Sequence, residues 1–485
     1  MKILFVASEA HPYVSTGGLA GVVGSLPKAL SRAGHDVRIC IPLYARIDKV
    51  RHGIAFRQTL CVHMGGGEVW CGLHECDHGS DVKTWFVDHE AMFGRPGIYD
   101  EAGRSYNDNN GRFAFHCKAA LQACKDTGWI PDVVHAHDWQ GASAVVFRKT
   151  WDAWNSPLER TACVLTLHNL AYQGKGDRGV LAWMGMGPEH FTPEKFEDFG
   201  GVNLLKAGIH FSDAITTVSP TYAHEIQGPV GGQGLHDALH RRSGDLFGIL
   251  NGIDADAYDP ADDRHLPLRF CADDLSGRWE CRRELQRRLG IWEDDSRCIV
   301  SVVSRLAPGK GFDLIEPVLE RAMREMHLQF CLVGSGDPHY EWWVGDLQRR
   351  FPGRVGSWIG YREDLAHLVY AGSDLYLMPS LFEPCGLSQM YAMRYGTLPV
   401  VRRTGGLADT VWNYIESDGG GDGFVFDDYR EDSLYFTLGW GVSTYFDRRH
   451  HFESMRRRVM SRDFSWDASV PRYEDAYRHA LSKVR

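Results

Sequence analysis

Short apolar runs closed by Gly, Pro or Asp recur along the 485-residue chain, each followed by a longer stretch of helical period. In the first half they fall at 3–7, 37–42, 133–136, 163–167 and 214–218; in the second, at 298–303, 329–333, 355–359, 375–378 and 398–401. A strand covered on both faces reads as one continuous apolar run, and such runs alternating with helices are the pattern of a parallel sheet wrapped by helices. The sequence therefore predicts an α/β protein of two doubly wound, Rossmann-like domains. The length agrees, since a chain this long exceeds one ordinary core.

The Gly248 to Asp254 stretch, with the Asp- and Pro-rich segment after it, marks the hinge. The expected division is 1–247, 248–460 and a C-terminal helix over 461–485, anchored by Trp466, Tyr473 and Tyr477 and packing back on the first domain. Open α/β sheets bind ligands outside the carboxyl ends of their strands, so two such domains predict a central cleft, with the chemistry on loops that follow strands.

Charge and composition exclude several classes. A formal net charge of -10 with no basic run disfavours nucleic acid and anionic lipid as partners. No stretch is apolar enough to span a bilayer, and the first residues meet Glu9 and His11 too soon for a signal peptide. The 12 cysteines lack paired spacing and suit reduced, packed thiols of a cytoplasm.

Four loops carry candidate chemistry. Ser15-Thr16-Gly17-Gly18-Leu19-Ala20-Gly21 follows the first strand and precedes a helix expected over 22–33, where free N–H groups suit a diphosphate. Spacing alone equally fits a tight turn. Arg305 and Lys310 follow the strand at 298–303, placed to hold a leaving diphosphate. Glu383 precedes Cys385, Gly386 and Leu387 at a helix start, combining a carboxylate for sugar hydroxyls with unspent N–H groups. Thr404-Gly405-Gly406-Leu407-Ala408 echoes the first glycine loop.

Two further strand ends, His135-Ala136-His137-Asp138-Trp139 and His168-Asn169-Leu170-Ala171-Tyr172-Gln173-Gly174, offer groups that bond sugar hydroxyls and rings that stack on a pyranose. A His-x-His pair also invites a metal, but no third ligand stands at sensible spacing. Cys61, His63, Cys71, His74, Cys76 and His78 surround Gly65, Gly66 and Gly67. A hairpin turning on these glycines would set Cys61 opposite Cys71, and an ordinary hairpin is favoured over a zinc site.

Together these segments resemble the bacterial glycogen synthase and plant starch synthase family, above all in Phe-Glu-Pro-Cys-Gly-Leu over 382–387 and Leu-His-Asn-Leu-Ala-Tyr-Gln-Gly over 167–174. The resemblance implies a glycosyltransferase of the B type, with no cofactor and no required metal, moving glucose from ADP-glucose to glycogen or another α-1,4-glucan with retention. By position, it implies that Arg305 and Lys310 bind the donor diphosphate, that Glu383 holds the glucose, and that His168 lies beside the transferring bond. Ser15, Gly17, Gly18, Asn251, Tyr361, Cys385, Gly386 and Leu387 would line the donor side, and Tyr99, Asp138 and Asn169 the acceptor side.

One departure stands out. The family's loop reads Lys-x-Gly-Gly-Leu-Ala-Asp, whereas Ser15 and Gly21 replace the Lys and the Asp here. Losing that cation is expected to weaken donor binding by about 1–3 kcal/mol. Two other readings accompany it: a transferase of the same fold using UDP-glucose, and a weakly active glucan-binding regulator.

Overall fold

The apolar runs become the central strands of two sheets in the computed structural model, which describes residues 1–77, 82–101 and 103–484. The chain forms two units, one of Met1–Gly252 with the segment from Trp466 onward, the other of Ile253–Ser465. The boundaries expected at 247/248 and 460/461 thus move to 252/253 and 465/466. Leu246–Gly248 is the edge strand of the first sheet rather than a hinge, and Ile253 pairs with Ser465 inside the second unit.

The first unit contains β1 (Lys2–Val6), β2 (Asp36–Pro42), β3 (Ala55–Met64), β4 (Gly67–Cys76), β5 (Lys83–Asp88), β6 (Val133–His137), β7 (Ala162–Leu167), β8 (Ala214–Thr217) and β9 (Leu246–Gly248). They lie in the order β9-β8-β7-β6-β1-β2-β5-β4-β3. Among these strands β4 alone points against the rest, antiparallel to β3 and to β5. Phe5, with no exposed surface, sits between Ile39 and His135 in register at the centre.

Helix α1 (Gly18–Arg32) begins four residues before the expected 22, so the glycine-rich segment is its first turn rather than a loop ahead of it. Gly17 supplies an extended residue before that turn and no side chain caps it. The C-terminal helix, Trp466–Ser482, belongs to this unit; Arg32 pairs with Asp467 at 2.8 Å, and Tyr477 bonds His135 Nδ1 at 2.9 Å.

In the β3–β4 hairpin the turn takes two residues, since Met64 pairs with Gly67, and Cys71 therefore opposes Leu60 while Cys61 opposes Trp70. This corrects the expected Cys61–Cys71 pairing. A one-residue shift moves a side chain to the other face of the sheet, so those two thiols cannot share a metal. His78 lies outside the described residues.

The second unit holds β10 (Cys298–Val303), β11 (Leu328–Gly334), β12 (Val355–Ile359), β13 (Leu375–Met378), β14 (Leu398–Arg402) and β15 (Phe424–Phe426), all parallel, in the order β12-β11-β10-β13-β14-β15. Buried Asp374 ties the amino ends of β10 and β13 together. It accepts the Ile299 N–H at 2.9 Å and pairs with Arg282 at 2.7 Å and Arg456 at 2.8 Å. Fixing those ends aligns the opposite, carboxyl ends, where the candidate loops emerge.

Candidate active site

A doubly wound sheet opens a crevice where its strand order reverses. In the second unit the reversal falls between β10 and β13, and the loops after them, 304–311 and 379–387, carry Arg305, Lys310 and Glu383. Lys310 Nζ lies 2.6 Å from Glu383 Oε2, and Ser380 Oγ donates to the same oxygen at 2.9 Å. Glu383 is 7% exposed, and its Oε1 has no partner among the described residues. Exposed Arg305 has no carboxylate partner among the described residues.

Backbone packing holds this carboxylate in place. The Leu381 N–H reaches Gly309 O at 3.1 Å, and a Cβ added at Gly311 (φ +81°) would meet Pro379 O at 2.3 Å. Gly405 and Gly406 press on the same loop: added Cβ atoms would meet Glu383 O and Cys385 O, each at 2.0 Å. The second glycine pair is therefore a packing device, unlike its echo at Gly17 and Gly18, where a Cβ would meet nothing within 4 Å.

Cys385 is buried, and Gly386 takes a left-handed φ of +72°. Gln389 Nε2 bonds the Gly386 carbonyl at 2.9 Å. Among the described residues the N–H groups of Gly386 and Leu387 stay unspent ahead of helix Ser388–Arg394. Tyr361 is 76% exposed, also in this unit. Asn251, by contrast, lies in the first unit, buried and with its Oδ1 unpartnered among the described residues, and Ser15, Gly17 and Gly18 belong to the same unit but are exposed. The expected donor set is thus divided between the units.

In the first unit the order reverses between β1 and β6. Just past β1, Glu9 is 3% exposed and accepts bonds from the Tyr99 hydroxyl and from both the N–H and the hydroxyl of Thr16. Burial, then the Glu9 charge, holds the Tyr99 hydroxyl's pKa well above the usual phenol value. Sequence reasoning did not single out Glu9 as a candidate for this crevice. Its signal was a carboxylate at the carboxyl end of the first strand.

Past β6, Asp138 adopts φ 52° at the start of a helix spanning Asp138–Thr150, a strained conformation of the kind that clusters at functional sites. Its Oδ1 accepts the His168 N–H at 2.7 Å. Burial lifts its pKa to about 7 against the opposing pull of the His168 and Asn169 N–H groups. His168 Nε2 lies 3.0 Å from His137 Nδ1, and burial lowers the His168 pKa to about 3, so the ring is neutral at pH 7. His135 is spent on Tyr477 and Thr166 at 2.9 and 2.6 Å. Asn169 is exposed, its Oδ1 taking the Ala171 N–H at 3.0 Å. A cavity of about 1000 Å³ opens beside Trp139, with Tyr172, Trp183, Asn110, Gln173 and Gln233 in its walls.

Two α/β units, each with polar side chains where its strand order reverses, have the architecture of a glycosyltransferase of the B type. Residues 2–241 match the starch synthase catalytic domain family, and residues 297–435 match glycosyl transferases group 1. Glycogen synthase 1 of Geobacter metallireducens is 42% identical over 486 residues, covering 100% of this chain and 97% of that protein. Glycogen synthase of Treponema denticola is 40% identical over 489 residues, covering 100% and 99%. Among solved structures, the catalytic domain of Starch Synthase IV from Arabidopsis thaliana bound to ADP and acarbose superposes with a TM-score of 0.90 at 34% identity, covering 99% of each chain. The chain belongs to the glycogen synthase and starch synthase family of glycosyltransferases. No helix among the described residues is long and apolar enough to cross a membrane.

Proposed function

We propose that the chain moves α-D-glucose from ADP-glucose to the non-reducing end of an α-1,4-glucan such as glycogen, with retention of configuration. The observation that carries this reading is the Lys310–Glu383 pair at the strand reversal of the second unit, with Arg305 beside it in sequence and without a carboxylate partner among the described residues. One cation pair for a diphosphate and one oriented carboxylate for a sugar together suit a nucleotide sugar. The plant relative is bound to ADP, the fragment that ADP-glucose leaves when its glucose departs.

In this reading the bond between glucose C1 and the β-phosphate oxygen breaks with its electron pair on that oxygen. Arg305 and Lys310 meet the charge that grows there; in a dry site one such contact is worth about 3–4 kcal/mol. Glu383 Oε1 accepts glucose hydroxyls while Oε2 is held by Lys310 and Ser380. The acceptor 4-hydroxyl attacks C1 on the face the diphosphate leaves, and the departing phosphate oxygen takes its proton. A carboxylate already paired with Lys310 is a weak nucleophile, which favours this route over a glucosyl ester on Glu383.

Beside the transferring bond, neutral His168 offers a ring nitrogen to a sugar hydroxyl, and Asp138, on the acceptor side, positions it through the backbone. Tyr99 and Asn169 join them. The aromatic and carboxamide walls of the cavity beside Trp139 suit pyranose rings and their hydroxyls. Gly17 and Gly18 leave open backbone for the donor, with Ser15, Asn251, Tyr361, Cys385, Gly386 and Leu387 completing that side. Ser15 and Gly21 support one second reading, a relaxed preference that admits UDP-glucose.

The chemistry is tested by following the anomeric proton of the transferred glucose by NMR. An α-1,4 linkage formed directly from the α-linked donor is expected. A β linkage, or free glucose as the main product, contradicts the reading.

A further inference from the structure

A second cluster in the second unit is made of residues to which the sugar chemistry above gives no role. His265, Glu363 and His367 bring ligand-bearing atoms within 4.8 Å of one another. Glu363 and His367 stand four residues apart on the helix Glu363–Gly372, so their side chains leave on one face. The His265 ring centroid lies 4.8 Å from that of His367.

The independent observation is the state of His367, which is 2% exposed. Its Nδ1 lies 2.7 Å from Asp263 Oδ2, an oxygen that also accepts the Tyr395 hydroxyl at 2.5 Å. A carboxylate in that role only accepts, so Nδ1 is the donor and Nε2 is the nitrogen left for another partner. Nε2 is buried and makes no hydrogen bond. Tyr258 stacks on the ring at 4.5 Å and fixes its plane. A carboxylate that orients one ring nitrogen and leaves the other bare is how proteins prepare a histidine for a metal.

We propose that His265, Glu363 and His367 bind one divalent first-row transition ion of the zinc kind. Two imidazoles and a carboxylate suit Zn²⁺ or Co²⁺ better than Ca²⁺ or Mg²⁺, which take oxygen ligands. A tetrahedral ion with bonds of about 2.1 Å sets its ligands about 3.4 Å apart. The exposed, flexible Glu363 side chain supplies the closing movement. The remaining position is open to water or an outside donor. Cys61, His63 and Glu68 also approach one another on the hairpin, but none of them carries a buried unpartnered atom.

The test is titration of the full chain, in a Cys61→Ser background, with Co²⁺ alone, read by its visible d–d bands. One Co²⁺ per chain is expected to saturate the bands, with Zn²⁺ displacing it. His265→Ala and Glu363→Gln, both away from the buried core, are each expected to weaken binding at least about tenfold, and Asp263→Asn by about 10–100-fold. Absence of a saturable band, or unchanged affinity in His265→Ala and Glu363→Gln, overturns the assignment.

Discussion

Lys310 Nζ reaches Glu383 Oε2 at 2.6 Å across 73 positions of sequence, because β10 and β13 are neighbours at the point where the second sheet reverses its order. The same carboxylate oxygen is held by Ser380. Glu383→Gln keeps the volume and the Ser380 contact but removes the charge. It is expected to lower kcat at least about 100-fold. Because Lys310 is 28% exposed, the stability loss should stay within about 1 kcal/mol. Steady-state transfer kinetics and urea unfolding check the two halves of this prediction.

The two glycine pairs should respond oppositely to a methyl group. Gly405→Ala places a Cβ against Glu383 O in a left-handed backbone, φ +43°, and is expected to cost about 1–3 kcal/mol and to lower kcat by moving Glu383. Gly17→Ala meets nothing within 4 Å, so the melting temperature should hold while the donor KM rises. Thermal melts beside donor titrations separate the two effects.

Ser15 is exposed, and among the described residues its hydroxyl reaches only Gly17 O, at 3.5 Å. Ser15→Lys adds a cation ahead of the uncapped first turn of α1. Donor binding is expected to tighten by about 1–3 kcal/mol, provided the new contact is shielded from solvent. Calorimetric titration with ADP-glucose reads the change, and an unchanged or weakened affinity counts against the donor role of that loop.

Among the imidazoles that burial holds below their ordinary pKa, the most deeply buried fall furthest: His116 to about 4, His135 and His168 to about 3, and His137 well down. Unfolding lets each take up a proton that the fold excludes. Their contribution is present above about pH 6.5 and is lost as pH falls toward the folded values, at about 1.4 kcal/mol per pH unit each. Asp138, raised to about 7, acts in the opposite sense, its contribution lost as pH rises from about 4 to 7, and it offsets one histidine. The urea midpoint is therefore expected to fall between pH 6.5 and 5, and His116→Asn to flatten the slope.

Strands buried on both faces were the most legible part of the sequence: the runs at 298–303 and 375–378 coincide with the observed strands, as does the half-exposed edge strand at 355–359. Lys83–Asp88 escaped notice because charged residues bound it, and Leu246–Gly248 because three residues carry no period. Arg305, Lys310 and Glu383 were visible as separate motifs after strands, but the ion pair between Lys310 and Glu383 depends on strand order, which no local spacing reveals. Glu9 was harder still, since its partner Tyr99 stands 90 positions away and its charge read only as the end of a strand.

The most direct test of the proposed activity is transfer of labelled glucose to glycogen by the purified protein, with ADP-glucose and UDP-glucose compared across donor concentration. The account predicts incorporation from ADP-glucose with the higher kcat/KM. No incorporation from either donor by a folded protein, or a clear preference for UDP-glucose, would contradict it.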